Sequence, residues 1–209
     1  MVKFWLFEAK GEVLFVEETL KNLHKAFIGE SQARNRYAMW AKQALTDGYD
    51  QISGIFLETA EQEREHAVQL SKMINALCKK AGKKQGPVLV EAEGAAMFGT
   101  TKQNLKDAIA GEHYETSEMY PGFAKAADDE GLKDVADRLR AIAVAERHHE
   151  ERYSKLLKEL QLGTFLKKTT TQVWVCRKCG YQHKGVSPPD KCPACGHEKG
   201  YYQLKCEEY

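Results

Sequence analysis

No apolar run in these 209 residues approaches the roughly 18–20 that cross a bilayer, so no membrane partner is expected. Met1 to Phe7 carries one Lys and a short apolar stretch that Glu8 interrupts, too short for the core of a signal peptide, so a cytoplasmic location is expected. Charge of one sign is also missing: 31 Lys and Arg meet 30 Asp and Glu, a net +1. That balance argues against a broad electrostatic footprint for nucleic acid or lipid. Cysteine is almost absent from the first 175 residues, where only Cys78 occurs, while five more follow. A disulfide framework is a small, Cys-dense secreted unit, so this distribution favours a reducing compartment and metal-bound thiolates instead. With 43% hydrophobic and 29% charged residues, the chain is an ordinary globular one, long enough for one large or two unequal domains.

What is present is mostly helical pattern. Leu20, Leu23, Phe27, Ala33, Tyr37, Trp40, Ala41 and Ala44 recur at helical spacing over 17–47, without Pro, and Asp47-Gly48 supplies a stop. A second helix is expected over 50–81, ending at Ala81-Gly82. A Gly-rich connection fills 82–101, with a short apolar run at Val88–Val90. Helices over about 102–129 and 132–161 follow, the last stopped by Gly163. Residues 164–172 hold three consecutive Thr and two Lys and read as a linker to a Cys-rich module at 173–209. Residues 1–16 fit either a hairpin turning at Gly11 or a helix extension. The domain reading is therefore an N-terminal extension 1–16, a bundle 17–163, a linker 164–172 and a module 173–209.

The helices contain an internal repeat. Tyr37, Ala41 and Lys42 recur as Tyr120, Ala124 and Lys125, Gly48 as Gly131, and Glu63 and His66 as Glu146 and His149, all at an offset of 83. Gly29-Glu30 recurs as Gly111-Glu112 at an offset of 82. Two equivalent helical hairpins joined by one long crossover make a four-helix bundle. The one-residue mismatch between Glu112 and Tyr120 predicts an extra residue absorbed as a π-bulge, and Pro121, which lacks an amide donor, favours distortion at the same place.

Glu-x-x-His occurs at Glu63/His66 and at Glu146/His149, and i, i+3 residues share a helix face. Glu30 lies 18 residues before Gly48 and Glu63 lies 15 after it; Glu115 lies 16 before Gly131 and Glu146 lies 15 after it. At about 1.5 Å per residue these differ by only about one helical turn. All four helices therefore bring carboxylates to one level. A single helical Glu usually belongs to a solvated face, and Glu58, Glu61, Glu65, Glu150 and Glu151 are read so. The repeated set of Glu30, Glu63, Glu112, Glu115 and Glu146 is different, because five inward carboxylates need counter-charge. Two divalent ions bring +4 and two trivalent ions +6. Carboxylate plus imidazole suits iron or manganese and leaves zinc open. One Glu on each of two helices with Glu-x-x-His on the other two is the dinuclear carboxylate pattern, to which the third helix adds Glu115. Tyr37 and Tyr120 lie one or two turns from Glu30 and Glu115 and are expected to donate phenolic hydrogen bonds to ligating carboxylates, plain core packing being the alternative. His148 points about 100° away from His149 and is read as a surface or outer residue.

Cys176-x-x-Cys179-Gly and Cys192-x-x-Cys195-Gly are separated by twelve residues, a strong signal for a tetrahedral four-cysteine site. Each following Gly permits a positive φ beside the metal. Zinc would make the module structural; iron would make it a one-electron carrier. Cys206 falls outside the pattern, and Cys78 is read as core.

FIGESQARNRY (27–37), FLETAEQEREHA (56–67), GEHYETSEMYPGFAK (111–125) and AERHHEERY (145–153), with WVCRKCGY and CPACG, resemble the rubrerythrin family over roughly 20–209. The resemblance implies an all-α ferritin-like four-helix bundle with one long crossover, plus a small β-rich rubredoxin-like domain. It implies a non-haem diiron peroxidase of anaerobes and microaerophiles that protects against oxidative stress by reducing hydrogen peroxide to water. Electrons would come from NADH through a flavoprotein reductase and often rubredoxin. By motif match Glu30, Glu63, Glu112, Glu115, Glu146 and His149 would ligate two non-haem irons. His66 would ligate in the reduced state, with one iron moving between Glu115 and His66. Cys176, Cys179, Cys192 and Cys195 would hold a third iron, and a homodimer or larger homo-oligomer is implied. Two rival readings stand beside it. The bundle alone suits a ferroxidase or iron-storage protein. The tail alone suits a zinc ribbon, although six basic against four acidic residues over 173–209 is a weak bias for nucleic acid.

Overall fold

A computed structural model describes residues 8–9, 12–13, 16–82, 86–94 and 98–207. Glu8–Ala9 (β1) pairs antiparallel with Glu12–Val13 (β2), so the described part of the N-terminal segment is a hairpin rather than a helix extension. The expected turn residue, Gly11, lies outside the described residues. The first helical hairpin is α1, Glu17–Thr46, and α2, Asp50–Lys80. The second begins with α3, Thr101–Tyr114, and continues without a break through a π-helical turn at Glu115–Met119 into α4, Tyr120–Asp129. It returns as α5, Lys133–Leu162. Helix ends fall within one residue of the expected bounds. The described part of the 82–101 connection forms no regular element before α3, and Leu89 stands almost fully exposed.

The two hairpins turn by the same device. Gly48 and Gly131 adopt φ of 84° and 73°. This lets the amide of Tyr49 donate to the Ala44 carbonyl and that of Leu132 to the Ala127 carbonyl, both at 2.8 Å. A Cβ in this left-handed region is strained, which is why the repeat keeps Gly at both turns.

The chain forms two compact units. One comprises Met1–Arg34, Glu61–Ala95 and Gly111–His149. Its apolar core includes Leu23, Ala26, Leu70, Tyr120, Ala136 and Leu139. Burying each such Leu contributes about 1.5–3 kcal/mol. At the start of α1 the Glu130 carboxylate accepts from the amides of Glu18 and Thr19, both at 3.1 Å, so the turn of one hairpin caps the first helix of the other.

The second unit comprises Asn35–Ala60, Ala96–Ala110 and Glu150–Tyr209. Tyr37, Trp40, Phe56 and Tyr153 pack as an aromatic cluster with ring centroids 5.2–5.9 Å apart. The Cys-rich module is a three-stranded antiparallel sheet of β3 (Gln172–Cys176), β4 (Gln182–Gly185) and β5 (Tyr202–Leu204), in the order β4-β3-β5. Trp174 and Tyr202 pack with Cys176 and Cys192. The segment read as a linker is itself packed. Phe165 meets Tyr49 edge-on, Leu166 covers the module core, and the Lys168 amide donates to the Val186 carbonyl at 2.7 Å. The module rests on the α1–α2 turn. Arg177 Nε and Lys178 Nζ meet the Asp50 carboxylate at 2.6 and 3.1 Å. A Cβ on Gly200 would lie 2.0 Å from the Gly48 carbonyl oxygen, so only glycine permits that approach.

Asp47 ties the α1–α2 turn to the start of α3, its Oδ2 accepting from the Thr101 amide (2.8 Å) and hydroxyl (2.7 Å). Burial alone would raise the Asp47 carboxyl, but the Thr101 bonds outweigh it and hold the group below the usual carboxylate range. Its contribution is thus full above the unfolded value and lost as pH falls through the lower folded one. Asp47→Ala is expected to cost about 1 kcal/mol, or about 2–4 °C in Tm. Thermal unfolding at pH 7 checks this, and the difference from the parent should shrink in acid.

Candidate metal centres

The π turn is where the repeat loses register. The Tyr120 amide donates to the Glu115 carbonyl, an i→i−5 bond, so the expected inserted residue lies between Glu112 and Tyr120. It allows Glu112 on one side and Tyr120 on the other both to face inward: they are 1% and 0% exposed. Deleting Ser117 should restore α-helical register, swing Glu112 by about 100° relative to Tyr120 and cost the bundle at least one of its two ions while it still folds. Metal analysis with circular dichroism checks this.

Glu30, Glu63, Glu112, Glu146 and His149 are all at most 2% exposed. They form two convergent groups with His66: Glu30, Glu63, His66 and Glu146 in one, and Glu63, Glu112, Glu146 and His149 in the other. Glu63 and Glu146 belong to both, and the distances show how. His66 Nδ1 lies 2.9 Å from Glu63 Oε2 and 2.8 Å from Glu146 Oε1. His149 Nδ1 lies 3.1 Å from Glu63 Oε1 and 2.8 Å from Glu146 Oε2. Each shared carboxylate therefore turns one oxygen to each histidine. Glu30 Oε1 completes the first group at 3.8 Å from His66, and Glu112 Oε2 the second at 3.5 Å from His149.

The donor chemistry fits two hard or borderline divalent ions. Both Glu146 oxygens are buried without a hydrogen bond, although a histidine nitrogen is 2.8 Å from each. Close approach without hydrogen-bond geometry is what lone pairs aimed at a common point produce. Without ions the cluster balances its charge with protons. Burial pushes Glu30 and Glu115 well above the usual carboxylate range, with neighbouring carboxylates adding to it, and lifts Glu112 to about 8. Burial would also raise Glu63, but bonds from His149 and His66 outweigh it and hold it low. Burial would lower both histidines, yet the surrounding carboxylates raise His66 and bring His149 to about 12. Metal binding would displace these protons.

The other candidate residues divide. Tyr120 donates its hydroxyl to Glu30 Oε1, as expected of a phenol orienting a ligating carboxylate. Tyr37 sits in the aromatic cluster of the second unit. Glu115 is buried at the start of the π turn but belongs to neither convergent group. His148 is exposed, and Cys78 lies in the apolar core. Glu58 and Glu61 pair with Arg152 and Arg64 on the surface. Sequence reasoning missed Gln62, whose Oε1 lies 3.0 Å from His149 Nε2.

In the module, Cys176 Sγ lies 3.7 Å from Cys195 Sγ, and Cys179 Sγ 3.6 Å from Cys192 Sγ. A disulfide needs about 2.05 Å. A tetrahedron of sulfurs about 2.3 Å from a central ion has edges of about 3.8 Å, so the spacing is that of a tetrathiolate metal site. Gly180 and Gly196 take φ of 77° and 76°, and their amides donate to the Cys176 and Cys192 carbonyls at 2.8 Å. Burial would raise the Cys192 thiol, but the Tyr202 hydroxyl and the Ala194 and Cys195 amides bring it down to about 6. Cys206 is exposed and outside the site.

A helical bundle with a dinuclear carboxylate site, followed by a tetrathiolate module, defines a ferritin-like diiron protein with a rubredoxin-like centre. Residues 21–157 match the rubrerythrin family model, and residues 174–203 match its rubredoxin-like domain. The chain belongs to the rubrerythrin family, a family of oxidoreductases. It is 54% identical over 198 residues to a putative rubrerythrin of Methanocaldococcus jannaschii, covering 94% of this chain and 97% of that one. It is 45% identical over 188 residues to the rubrerythrin of Nitratidesulfovibrio vulgaris, covering 89% and 93%. Among solved structures, fully reduced, all-ferrous nigerythrin aligns over 90% of this chain and 86% of its own, with a TM-score of 0.57 and 30% identity. Among the described residues no helix is long and apolar enough to cross a membrane.

Proposed function

We propose that the protein is a peroxidase that reduces hydrogen peroxide to water. Electrons start at NADH, pass through a flavoprotein reductase, with or without rubredoxin, and enter through the four-cysteine centre. One observation carries the reading: two four-donor groups sharing Glu63 and Glu146 occur in the same chain as a tetrathiolate site. A storage protein needs no one-electron donor of its own. The all-ferrous state of nigerythrin supports iron at these positions.

In this reading the bundle, residues 17–163, is the reacting domain. Residues 173–209 are the donor domain, 164–172 join them, and 1–16 are an extension. Glu30, Glu63, His66, Glu112, Glu146 and His149 hold two irons, and Cys176, Cys179, Cys192 and Cys195 hold a third. Glu115 and His66 would each offer a ligand to the pair in one of its charge states. Tyr120 holds Glu30 in place through its hydroxyl, and Tyr37 has a supporting role. When bound, the iron pair would supply two electrons and Lewis acidity toward the peroxide. Each turnover uses one peroxide, two electrons and two protons and leaves two waters. The active form is a cytoplasmic homodimer or larger homo-oligomer serving oxidative-stress protection.

Stopped-flow mixing of anaerobically reduced full-length protein with peroxide tests this. The expected result is fast oxidation at one peroxide per iron pair, together with peroxide-dependent NADH consumption when the reductase is added. Uptake of many irons per chain without NADH consumption would instead identify a ferroxidase or storage protein. Zinc in the tail would remove the donor route.

A further inference from the structure

The two halves of the dinuclear cluster are related by the internal repeat, yet their histidines are held differently. Gln62 Oε1 lies 3.0 Å from His149 Nε2. An amide oxygen only accepts, so Nε2 carries a hydrogen, and Nδ1, once a metal ion displaces its proton, is the nitrogen that faces Glu63, Glu112 and Glu146. His149 is thus held at Nε2 by a hydrogen bond and is 2% exposed. His66 turns Nδ1 to Glu63 and Glu146 in the same way, but among the described residues its Nε2 has no protein partner, and it is 14% exposed. The sequence supplies the reason. The offset of 83 that relates Glu63 and His66 to Glu146 and His149 makes Ala145 the counterpart of Gln62. Alanine offers no acceptor.

We propose that Gln62 is a positioning residue that fixes the ring and tautomer of His149. Its replacement by Ala145 in the second repeat leaves His66 without such a tether, so the two repeat-related ion positions are held unequally. The proposal rests on the diiron reading.

The test uses the full chain with its four-cysteine site already filled, titrated anaerobically with ferrous iron by calorimetry. Gln62→Ala should weaken one of two binding steps about 10–100-fold, the cost typical of losing a partner of a ligating histidine. The other step should stay within about threefold, and the metal-free Tm should fall by only a few degrees, the cost of leaving the buried His149 N–H without an acceptor. Gln62→Glu, which keeps an oxygen at the same reach, should restore the lost affinity. If the parent takes up no pair of ions, the diiron reading itself fails. If the parent binds two and Gln62→Ala binds both within about threefold of it, the positioning role alone is overturned. That role is overturned equally if Gln62→Ala and Gln62→Glu weaken binding to the same extent.

Discussion

Glu146→Ala will empty the bundle of both metal ions, whereas Glu112→Ala will leave one. The difference follows from the geometry of the shared carboxylates. Glu146 sends Oε1 to the group of His66 and Oε2 to that of His149, so its loss removes a donor from each four-donor set. Glu63 is divided in the same way, and Glu63→Ala should behave like Glu146→Ala. Glu30 and Glu112 each belong to one set, so either substitution spares the other set. Iron analysis of the full chain should find the four-cysteine iron in every variant. The bundle should hold two ions in the parent, about one in Glu112→Ala and none in Glu146→Ala. Stability should follow occupancy. At a free ion concentration 100-fold above Kd, each site contributes about 2.7 kcal/mol. Losing two therefore lowers Tm by roughly 10–20 °C in a chain of this size. A Glu146→Ala protein that still holds one bundle ion would mean that the carboxylate serves only one set.

The cluster was legible in the sequence because a repeat counts residues. Glu63/His66 and Glu146/His149 at an offset of 83 define the face and the level, and the offset of 82 at Glu112 marks the π turn. Gly48 and Gly131 marked both hairpin ends because only glycine takes that φ without strain. The four cysteines were legible because thiolate spacing is local. What was not legible lies between elements distant in sequence or outside the repeat. Gln62 is matched by Ala145 in the other half rather than by a second Gln, so nothing in the pattern singled it out. The docking of Arg177 and Lys178 on Asp50 joins residues 127 or more apart, and long-range ion pairs leave no periodic trace. Glu115 shares the level and polarity of the ligands and is buried on the first residue of the π turn, while the two convergent groups form without it.

Cys192→Ser will separate the two chemistries in the chain. A serine oxygen is a harder donor with a far higher pKa than the thiolate it replaces, so the tetrathiolate site loses a ligand that soft-metal binding requires. Cys192 is also the sulfur that the Tyr202 hydroxyl and two backbone amides stabilise as an anion. It is buried against Trp174 and Tyr202, so losing the metal here also removes a cross-link between the two knuckles. The variant should lose its tail iron and keep two irons in the bundle. Chemically reduced beforehand, it should still consume one equivalent of peroxide at close to the parent rate, because the groups around Glu63 and Glu146 are intact. Continuous NADH-coupled turnover should fall by about 100-fold or more, since each peroxide needs two electrons and the one-electron entry site is gone. Cys206→Ser is the control: that residue is exposed and lies outside the sulfur tetrahedron, and turnover should not change. If Cys192→Ser sustains NADH-coupled turnover within threefold of the parent, electrons enter the bundle directly and the tail is structural. If its single turnover also fails while the bundle irons remain, the tail takes part in the peroxide step itself.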